Sequence, residues 1–403
     1  MMNDGTELRP LRPEEMEEYH RFIHYAFGLD EDFEDWDKRR RERCPDPDTL
    51  VRFGYFVDDR LTSTCGYIPF RVSLRGREFP MAGITSVTTP PEYRRRGYVA
   101  DMLKRLLHLL RERGFSLSGL WPFSREFYSR FGWATCAEYS SLTVETAEFR
   151  KLLEGSRPRA QFFPATLCDV PDLQDVRNRW TSPFSFNLVR DREDWRLQTF
   201  LGWKRTPYVY VSREEDGVAD AYVSYKVTEC KPWDRDLEVR DMGYRDVAGY
   251  RKILAFLANH DSQVNRFHLT TSISDPLFEW LPAAETTREA GVMVRVSDIP
   301  SILGKLRVPE GVRGRAVLRV TDGFFPAAAG VFLIEVSPDG ILVSDTEEPP
   351  DVQMSAGSLS QLITGYRSLS DLVRFGNAEI PGRNWRLLHA LLPPGETHLP
   401  EYF

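Results

Sequence analysis

The sequence predicts a mixed α/β (α+β) protein of three domains. The chain has 403 residues, too many for one ordinary core. Strand-like runs alternate with amphipathic helical patterns, and the order strand, strand, strand, helix, strand occurs twice. The apolar pattern lapses at 154–160, which marks a linker. We therefore expect domains at 1–150, 158–288 and 289–403.

The first domain carries the strongest local signals. Residues 79–89 are apolar and β-branched, as in a buried strand. From Val99 to Leu110 apolar residues recur every three or four positions, which predicts an amphipathic helix. The other predicted elements are helices at 14–27 and 35–43, strands at 50–57, 62–74, 115–121 and 140–145, and a short helix from Ser124 to Phe131.

The second and third domains are predicted from weaker versions of the same patterns. In the second, we expect helices at 171–180, 193–200 and 246–258 and strands at 207–213, 219–230, 237–242 and 266–272. The third begins with a strand at 292–296 and a helix at 299–306. Strands at 315–321, 330–336 and 340–345 and helices at 358–365, 368–375 and 385–392 complete an α+β module.

The composition argues against several classes of protein. The net charge of −7, with no markedly basic half, argues against nucleic-acid binding and mildly favours cationic small substrates. No apolar run reaches membrane-spanning length, so no membrane partner is expected. The five cysteines and seven histidines show no metal-ligand spacing. We therefore expect no metal and a reducing, cytoplasmic location.

A basic turn separates the strand at 79–89 from the amphipathic helix. It reads Glu-Tyr-Arg-Arg-Arg-Gly-Tyr-Val-Ala at 92–100, with Gly97 at the start of the helix. The first amides of a helix are unpaired and lie at the positive end of its dipole, so they bind anions such as a diphosphate. Three arginines alone are common on solvated surfaces, but the strand–turn–helix context favours an anion site.

Three other segments carry candidate functional residues. In Phe-Tyr-Ser-Arg-Phe-Gly at 127–132, the aromatic rings can pack a helix end, whereas the Tyr128 phenol can also act as a general acid. The spacing alone does not decide between these two roles. The chain ends on Tyr402 and Phe403, which is unusual for a solvated tail. Residues 30–37 include six acids, as at the favoured acidic start of a helix.

Together, the Arg94–Gly97 turn, the helix that follows it and the 127–132 segment resemble the GNAT acetyltransferase superfamily, and more narrowly its Eis (enhanced intracellular survival) family. The resemblance extends over the whole chain, as two tandem GNAT-like acyltransferase domains followed by a sterol-carrier-protein-like domain. The second copy has no Arg-Arg-x-Gly turn after its strand at 237–242, so we expect one active site per chain. The family commonly forms hexamers, and the resemblance implies that homo-oligomer.

The resemblance implies acetyl-CoA as the cofactor. Val87, Thr88 and Thr89 would pair with the pantetheine arm and hold the thioester. The pyrophosphate would bind backbone amides of Arg95, Arg96, Gly97, Tyr98, Val99 and Ala100. Phe123 and Ser124 occupy positions of a further contact, although Ser124 also fits a helix N-cap. Val99 departs from the superfamily's preference for Gly or Ala at that position, and Eis relatives tolerate the same departure.

The same resemblance implies an N-acetyltransferase in which the acceptor amine attacks the thioester directly. The α-carboxylate of Phe403 would be the general base, a backbone N–H near Val87 would polarise the carbonyl, and Tyr128 would protonate the thiolate. Asp30, Trp36 and Glu401 would bind a cationic small-molecule acceptor, either aminoglycoside-like or a polyamine or lysine amine. The alternatives are a lipid or sterol carrier acting through 289–403, an acetyl-CoA-binding protein without turnover, and a protein-lysine acetyltransferase.

Overall fold

The computed structural model describes residues 5–27, 31–43, 49–152, 161–201, 207–231 and 234–403. Two compact units emerge from the contacts between residues. The first unit comprises Met1–Cys136, Val292–Gly395 and Tyr402–Phe403. The second unit comprises Ala137–Gly291 and Glu396–Glu401. Of the residues predicted as a third domain, 292–395 and 402–403 therefore belong to the same compact unit as residues 1–136, whereas 289–291 and 396–401 belong to the second unit.

The segment up to residue 136 alternates strands with helices. In chain order these elements are β1 Thr6–Pro10, α1 Met16–Ala26, α2 Phe33–Arg43, β2 Val51–Val57, β3 Arg60–Leu74, β4 Arg77–Thr88, α3 Tyr98–Glu112, β5 Leu117–Leu120, α4 Arg125–Ser129 and β6 Ala134–Thr135. The predicted amphipathic helix is α3. Its apolar face buries Met102, Leu103, Leu106, Leu107 and Leu110 completely, and each such side chain contributes about 1.5–3 kcal/mol.

The segment 137–291 makes up most of the second unit. Its elements are β7 Glu138–Glu145, α5 Thr146–Lys151, β8 Phe162–Pro164, α6 Val170–Thr181, β9 Phe186–Val189, α7 Arg192–Asp194, β10 Tyr208–Arg213, β11 Ala219–Lys231, β12 Asp234–Tyr244, α8 Val247–Leu257, β13 Arg266–Thr271, α9 Leu277–Trp280 and β14 Glu285–Ala290. A π-helical turn, Trp195–Leu201, follows α7. The helix predicted at 193–200 is therefore divided between two helix types.

The remaining elements follow residue 292. They are β15 Met293–Val296, α10 Ile299–Lys305, β16 Gly314–Thr321, β17 Gly330–Ser337, β18 Gly340–Asp345, β19 Val352–Ser355, α11 Ala356–Thr364, α12 Leu369–Arg374, β20 Ala378–Glu379, α13 Trp385–Leu391 and β21 Thr397–His398. We call residues 299–395 the C-terminal module. Its sheet has the order β18-β17-β16-β19-β20.

The main sheet of the first unit has the strand order β1-β2-β3-β4-β5-β15-β6. β4 and β5 are parallel, whereas β15 is antiparallel to both β5 and β6. The strand at 292–296 was predicted to open the third domain, and the structure corrects this: it lies between β5 and β6. All four residues of β15 are buried there, which accounts for its place inside a sheet rather than at an edge.

The second unit has its own sheet, in the order β14-β7-β13-β12-β11-β10-β8. Here too the structure corrects a prediction, because the strand at 140–145 was expected to complete the first domain. It is β7, which pairs with β13 and β14. Leu142 and Val144 on its inner face pack in the same core as Phe267 and Leu269 of β13. Among the helices that the structure describes, none is long and apolar enough to cross a bilayer.

Candidate active site

The candidate site begins where β4 extends beyond its neighbour β5. The two strands pair from Met81–Leu117 to Ile84–Leu120, where β5 ends, while β4 continues to Thr88. Within the described residues, the part of β4 beyond Ile84 pairs with β3 on one side and has no pairing with β5 on the other. Backbone groups on this side of β4 are therefore open to an extended ligand, and Val87 and Thr88 lie in this stretch.

A β-bulge shapes the same stretch of β4. Thr64 of β3 faces Thr88 and Gly66 faces Thr85, so one residue of β3, Cys65, opposes two residues of β4. One of those two, Ser86, has a φ of 57°, in the left-handed region. A serine held there costs roughly 1 kcal/mol or more, and bulges of this kind are common beside active sites. The sequence analysis missed the bulge because serine does not signal a positive φ.

Side-chain hydroxyls fix the bulge from the β3 side. Thr64 Oγ1 donates to the Ser86 carbonyl at 3.0 Å and lies 2.6 Å from Thr88 Oγ1. Ser63 Oγ lies 2.8 Å from Thr89 Oγ1. The hydroxyls of Thr88 and Thr89 are hydrogen-bonded to β3. These two residues would therefore bind a ligand through their backbone N–H and C=O groups.

The basic turn ends in a helix start that no side chain of the described residues caps. Gly97 is the N-cap of α3, with φ at 81°, and Arg95 is also left-handed, with φ at 62°. Residues 94–97 are exposed, and a Cβ at Gly97 would have no atom within 4 Å. The turn therefore presents the positive end of a 15-residue helix to open space, which is the arrangement that binds phosphate groups.

The segment 124–133, here called the tyrosine segment, connects β5 to β6. Ser124 caps α4, since its Oγ accepts a hydrogen bond from the Phe127 amide at 3.2 Å. The N-cap role considered from the sequence is thus present. Phe123 is 74% exposed, and its ring centroid lies 5.5 Å from that of Tyr128. Phe123 thus offers an open aromatic face beside the buried phenol.

Tyr128 is buried among aromatic rings at the edge of this surface. Burial raises the pKa of its phenol above the ordinary 10.0, and Cys65 and Tyr402 raise it further. The phenol is therefore protonated at neutral pH. Within the described residues its hydroxyl has no hydrogen-bond partner, so the proton is available to a ligand.

Phe403 packs against two strands of the same sheet. The Phe403 ring is buried 5.0 Å from the ring of Phe70, and a Cβ at Gly83 would lie only 2.9 Å from Phe403 Cδ2. Only glycine permits that approach. Gly83 pairs with Gly119 one position before the end of the β4–β5 pairing. The terminal residue therefore lies beside the point where the open stretch of β4 begins.

Comparison with known proteins agrees with this geometry. Residues 7–136 and 187–296 each match an acetyltransferase (GNAT) domain, and residues 299–400 match a sterol carrier protein domain. The chain is 22% identical over 357 residues to the N-acetyltransferase Eis of Mycobacterium tuberculosis, covering 80% of each chain. The chain belongs to the Eis-like family of GNAT acetyltransferases.

Further comparisons extend this result over almost the whole length. An uncharacterized N-acetyltransferase of Streptomyces avermitilis is 25% identical over 390 residues, 91% of each chain. A probable N-acyltransferase from Enterococcus faecalis has the same fold, with a TM-score of 0.86 at 23% identity over 99% of this chain and 100% of that chain. The predicted tandem GNAT-like domains, sterol-carrier-like domain and N-acetyltransferase activity are thus confirmed.

Glu401 of this Eis-like acetyltransferase is a buried, ion-paired residue. It is buried in the second unit, in a cluster with Arg177, Arg190 and Asp241. Glu401 Oε1 pairs with Arg177 and, at 2.7 Å, with Arg190 Nη2. Although burial by itself raises the pKa of Glu401, the two arginines lower it to about 2. The structure corrects the predicted substrate contact, because this carboxylate already neutralises two buried cations.

The other two predicted acceptor residues also differ from expectation. Trp36 is 5% exposed and packs with Tyr19 and Ile23 between α1 and α2. So little of its ring reaches the surface that Trp36 is a core residue of this acetyltransferase rather than the wall of an open pocket. Asp30 lies outside the described residues.

One residue that the sequence analysis left unassigned stands out. Tyr402 is 58% exposed, its ring lies 5.3 Å from that of Trp121, and it lies close enough to Tyr128 to influence its pKa. The two adjacent aromatic residues, Tyr402 and Phe403, were the sequence signal from which a role for Tyr402 could have been predicted. The sequence analysis used Phe403 from that pair and overlooked its neighbour.

Proposed function

We propose that the first unit transfers an acetyl group from acetyl-CoA to a primary amine of a cationic acceptor. One observation carries this proposal. The uncapped start of α3, the open stretch of β4, the buried phenol of Tyr128 and the terminal Phe403 all belong to one compact unit. These are the parts needed to bind a thioester with a diphosphate and to move two protons.

The residues present fit acetyl-CoA. The amides of Arg95 through Ala100 would bind the pyrophosphate, because within the described residues no side chain caps that helix start and Gly97 faces open space. Val87, Thr88 and Thr89 would pair with the pantetheine through their backbones. The exposed Phe123 ring, next to Ser124, would cover the same arm. Acetyl-CoA supplies the acetyl group as a thioester, whose carbonyl carbon is the electrophile.

Phe403 would take the proton from the acceptor. A primary amine with a pKa near ~10.4 is mostly protonated at neutral pH and must lose a proton to become a nucleophile. The α-carboxylate of Phe403 would accept that proton, directly or through a water molecule. This role is supported by the position of the Phe403 ring. The ring is buried against Gly83 and holds residue 403 beside the open stretch of β4. A bulge amide near Val87 would donate to the carbonyl oxygen as its charge develops.

Tyr128 would supply the second proton. As the nitrogen–carbon bond forms and the carbon–sulfur bond breaks, negative charge develops on the sulfur. The Tyr128 hydroxyl would donate its proton there and regain one from solvent, so that coenzyme A leaves as the thiol. This role is supported by the raised pKa, which keeps the phenol protonated, and by the lack of a hydrogen-bond partner among the described residues.

The acceptor would be a cation. Trp121 and Tyr402 form an aromatic pair close to Tyr128, and aromatic faces attract ammonium groups. The net charge of −7 also favours a cationic acceptor. Aminoglycosides, polyamines and lysine side chains all carry such amines. The family resemblance further predicts a hexamer, which the molar mass measured by light scattering would test.

The experiment is an acetylation assay with a panel of amines. Purified protein and acetyl-CoA are mixed with an aminoglycoside, a polyamine or a lysine peptide, and thiol release is followed together with the mass of the acceptor. We expect thiol release that depends on the acceptor and a gain of one acetyl group per reacted amine. Thiol release without an acetylated product, or no release with any amine, would contradict the proposal.

A further inference from the structure

A buried arginine lies behind the tyrosine segment and has no part in the chemistry described so far. Arg295 belongs to β15, and its side chain has 0% exposure. Its Nη1 donates to the Phe131 carbonyl at 2.6 Å, and its Nη2 pairs with Asp322. The guanidinium therefore bridges the segment that carries Tyr128 and a loop of the C-terminal module.

The glycine of the 127–132 segment makes room for this arginine. Gly132 has φ at 84°, and a Cβ there would lie 1.7 Å from Arg295 Nη1. The rings of Trp133 and Phe325 flank the guanidinium, with their centroids 5.5 and 5.6 Å from its central carbon. Any side chain at position 132 would displace the arginine. The glycine at position 132 is thus explained by the packing of Arg295 as well as by the positive φ of the turn.

Phe131 connects Arg295 to the backbone of Tyr128. The Phe131 amide donates to the Tyr128 carbonyl at 3.0 Å, and the Phe131 carbonyl accepts from Arg295. The Trp133 amide also donates to the Tyr128 carbonyl, at 3.3 Å. Phe131, whose carbonyl Arg295 holds, is therefore hydrogen-bonded through its amide to the residue whose phenol we assign as the proton donor.

Asp322 holds the other end of the bridge. Its Oδ1 accepts from the amides of Phe324 and Phe325 at 3.0 and 2.8 Å, which leaves Oδ2 to pair with Arg295. The Phe324 ring lies 4.8 Å from the ring of Phe131. The loop after β16 is thus connected to the tyrosine segment in two ways, through Arg295 and through the contact between Phe324 and Phe131.

We propose that Arg295, held by Asp322, is a positioning residue for Tyr128 in the acetyl-transfer reaction. This inference rests on the acid role of Tyr128 given under the proposed function. The C-terminal module would then contribute to turnover through the orientation of the proton donor. A phenol displaced by about 1 Å loses on the order of 10²-fold in rate, so positioning of this kind is measurable.

The test is Arg295→Lys, which can keep the pair with Asp322 but cannot also reach the Phe131 carbonyl as a guanidinium does. We expect kcat to fall roughly tenfold to 100-fold, with the dissociation constant for acetyl-CoA unchanged. Arg111→Lys is the matched control. Arg111 also donates to a carbonyl of the C-terminal module, Ala327 O at 2.7 Å, and faces Asp298, but it extends from the last turn of α3. Its kcat should stay at the parent value.

A double-mutant cycle separates positioning from general destabilisation. In a Tyr128→Phe background, Arg295→Lys should lower kcat no further, because the group that it orients is gone. An equal loss of kcat in both backgrounds, or an unchanged kcat in Arg295→Lys, would overturn the inference. Asp322→Asn preserves the two amide contacts and weakens only the pairing, so it should lower kcat even if the lysine variant folds poorly. Parental kcat in Tyr128→Phe alone would instead refute the proposed acid.

Discussion

Replacing Glu401 by glutamine tests what the buried ion cluster of the second unit contributes. The substitution keeps the shape of the side chain and removes its charge. Two guanidiniums, those of Arg177 and Arg190, then share the single carboxylate of Asp241 in a buried site. Removing one partner from such a cluster is strongly destabilising, because a charge remains without compensation.

The expected loss follows from the pKa of Glu401. Burial raises it, but the two arginines prevail and lower it from 4.5 to about 2 in the folded protein. At 1.36 kcal/mol per unit, the ionised carboxylate contributes about 3 kcal/mol to the free energy of unfolding. Because the folded pKa is depressed, this contribution is complete above pH 4.5 and is lost as the pH falls towards 2. A unit of this size should melt roughly 6–12 °C lower.

The assay is thermal unfolding of the parent and of Glu401→Gln at pH 7 and at pH 4. The difference in melting temperature should be large at pH 7 and smaller at pH 4. Glu396→Gln is the control, because Glu396 lies in the same tail and its carboxylate accepts hydrogen bonds from the amide and hydroxyl of Ser274. If Glu401→Gln melts like the parent and raises KM for the acceptor, the reasoning fails and the contact predicted from the sequence is correct.

Four further predictions concern the first unit. Tyr128→Phe should lower kcat by about 10²–10⁴-fold and leave acetyl-CoA binding, measured by calorimetry, unchanged because the ring packing remains. A tag fused after Phe403 should abolish turnover, since it converts the α-carboxylate into an amide. Gly97→Ala should weaken acetyl-CoA binding about tenfold, because a positive φ costs an alanine about 1–2 kcal/mol. Turnover should not decline up to pH 10 through loss of the Tyr128 proton, because burial raises the pKa of that phenol above 10.0.

The three experiments on altered proteins each have a matched control. Tyr139→Phe removes a tyrosine hydroxyl in the second unit, and the same tag at the N-terminus leaves Phe403 free. Gly76→Ala is strained like Gly97→Ala, with φ at 74° and no atom near the added Cβ, but lies in the β3–β4 hairpin. A Tyr128→Phe enzyme with parental kcat, an active C-terminally tagged enzyme, or equal binding by the two alanine variants would each contradict the corresponding assignment. A decline in rate below pH 10 that Tyr128→Phe abolishes would contradict the last prediction.

Local periodicity predicted most helices and strands, but it could not predict which strands pair. The helix α3 was predictable because its apolar spacing and the preceding glycine both act within one segment. The strands at 140–145 and 292–296 were each predicted correctly as strands and assigned to the wrong neighbours. Alternating apolar residues show that a strand has a buried face, but they do not identify the sheet that buries it.

In the candidate site, too, local features could be predicted from the sequence and tertiary contacts could not. The residue type of Gly97 is typical of a positive φ, whereas Ser86 adopts a positive φ within the β-bulge of β4. Glu401 appeared from the sequence to be an available carboxylate. Its partners, Arg177 and Arg190, are more than 200 positions away in the chain, and no local pattern connects them to it. Burial and ion pairing of this kind arise only from the tertiary structure.

The place of β15 between β5 and β6 has a consequence for biosynthesis. About 160 residues are translated between β6 and Arg295, which takes roughly 8–30 s at 5–20 residues per second. During that time the basic turn and Tyr128 have already left the ribosome, but the strand that joins β5 to β6 does not yet exist. A fragment ending near residue 136 therefore contains every cofactor contact we assign and still lacks a strand of its own sheet. The sheet that carries these contacts should therefore form completely only after β15 has been translated.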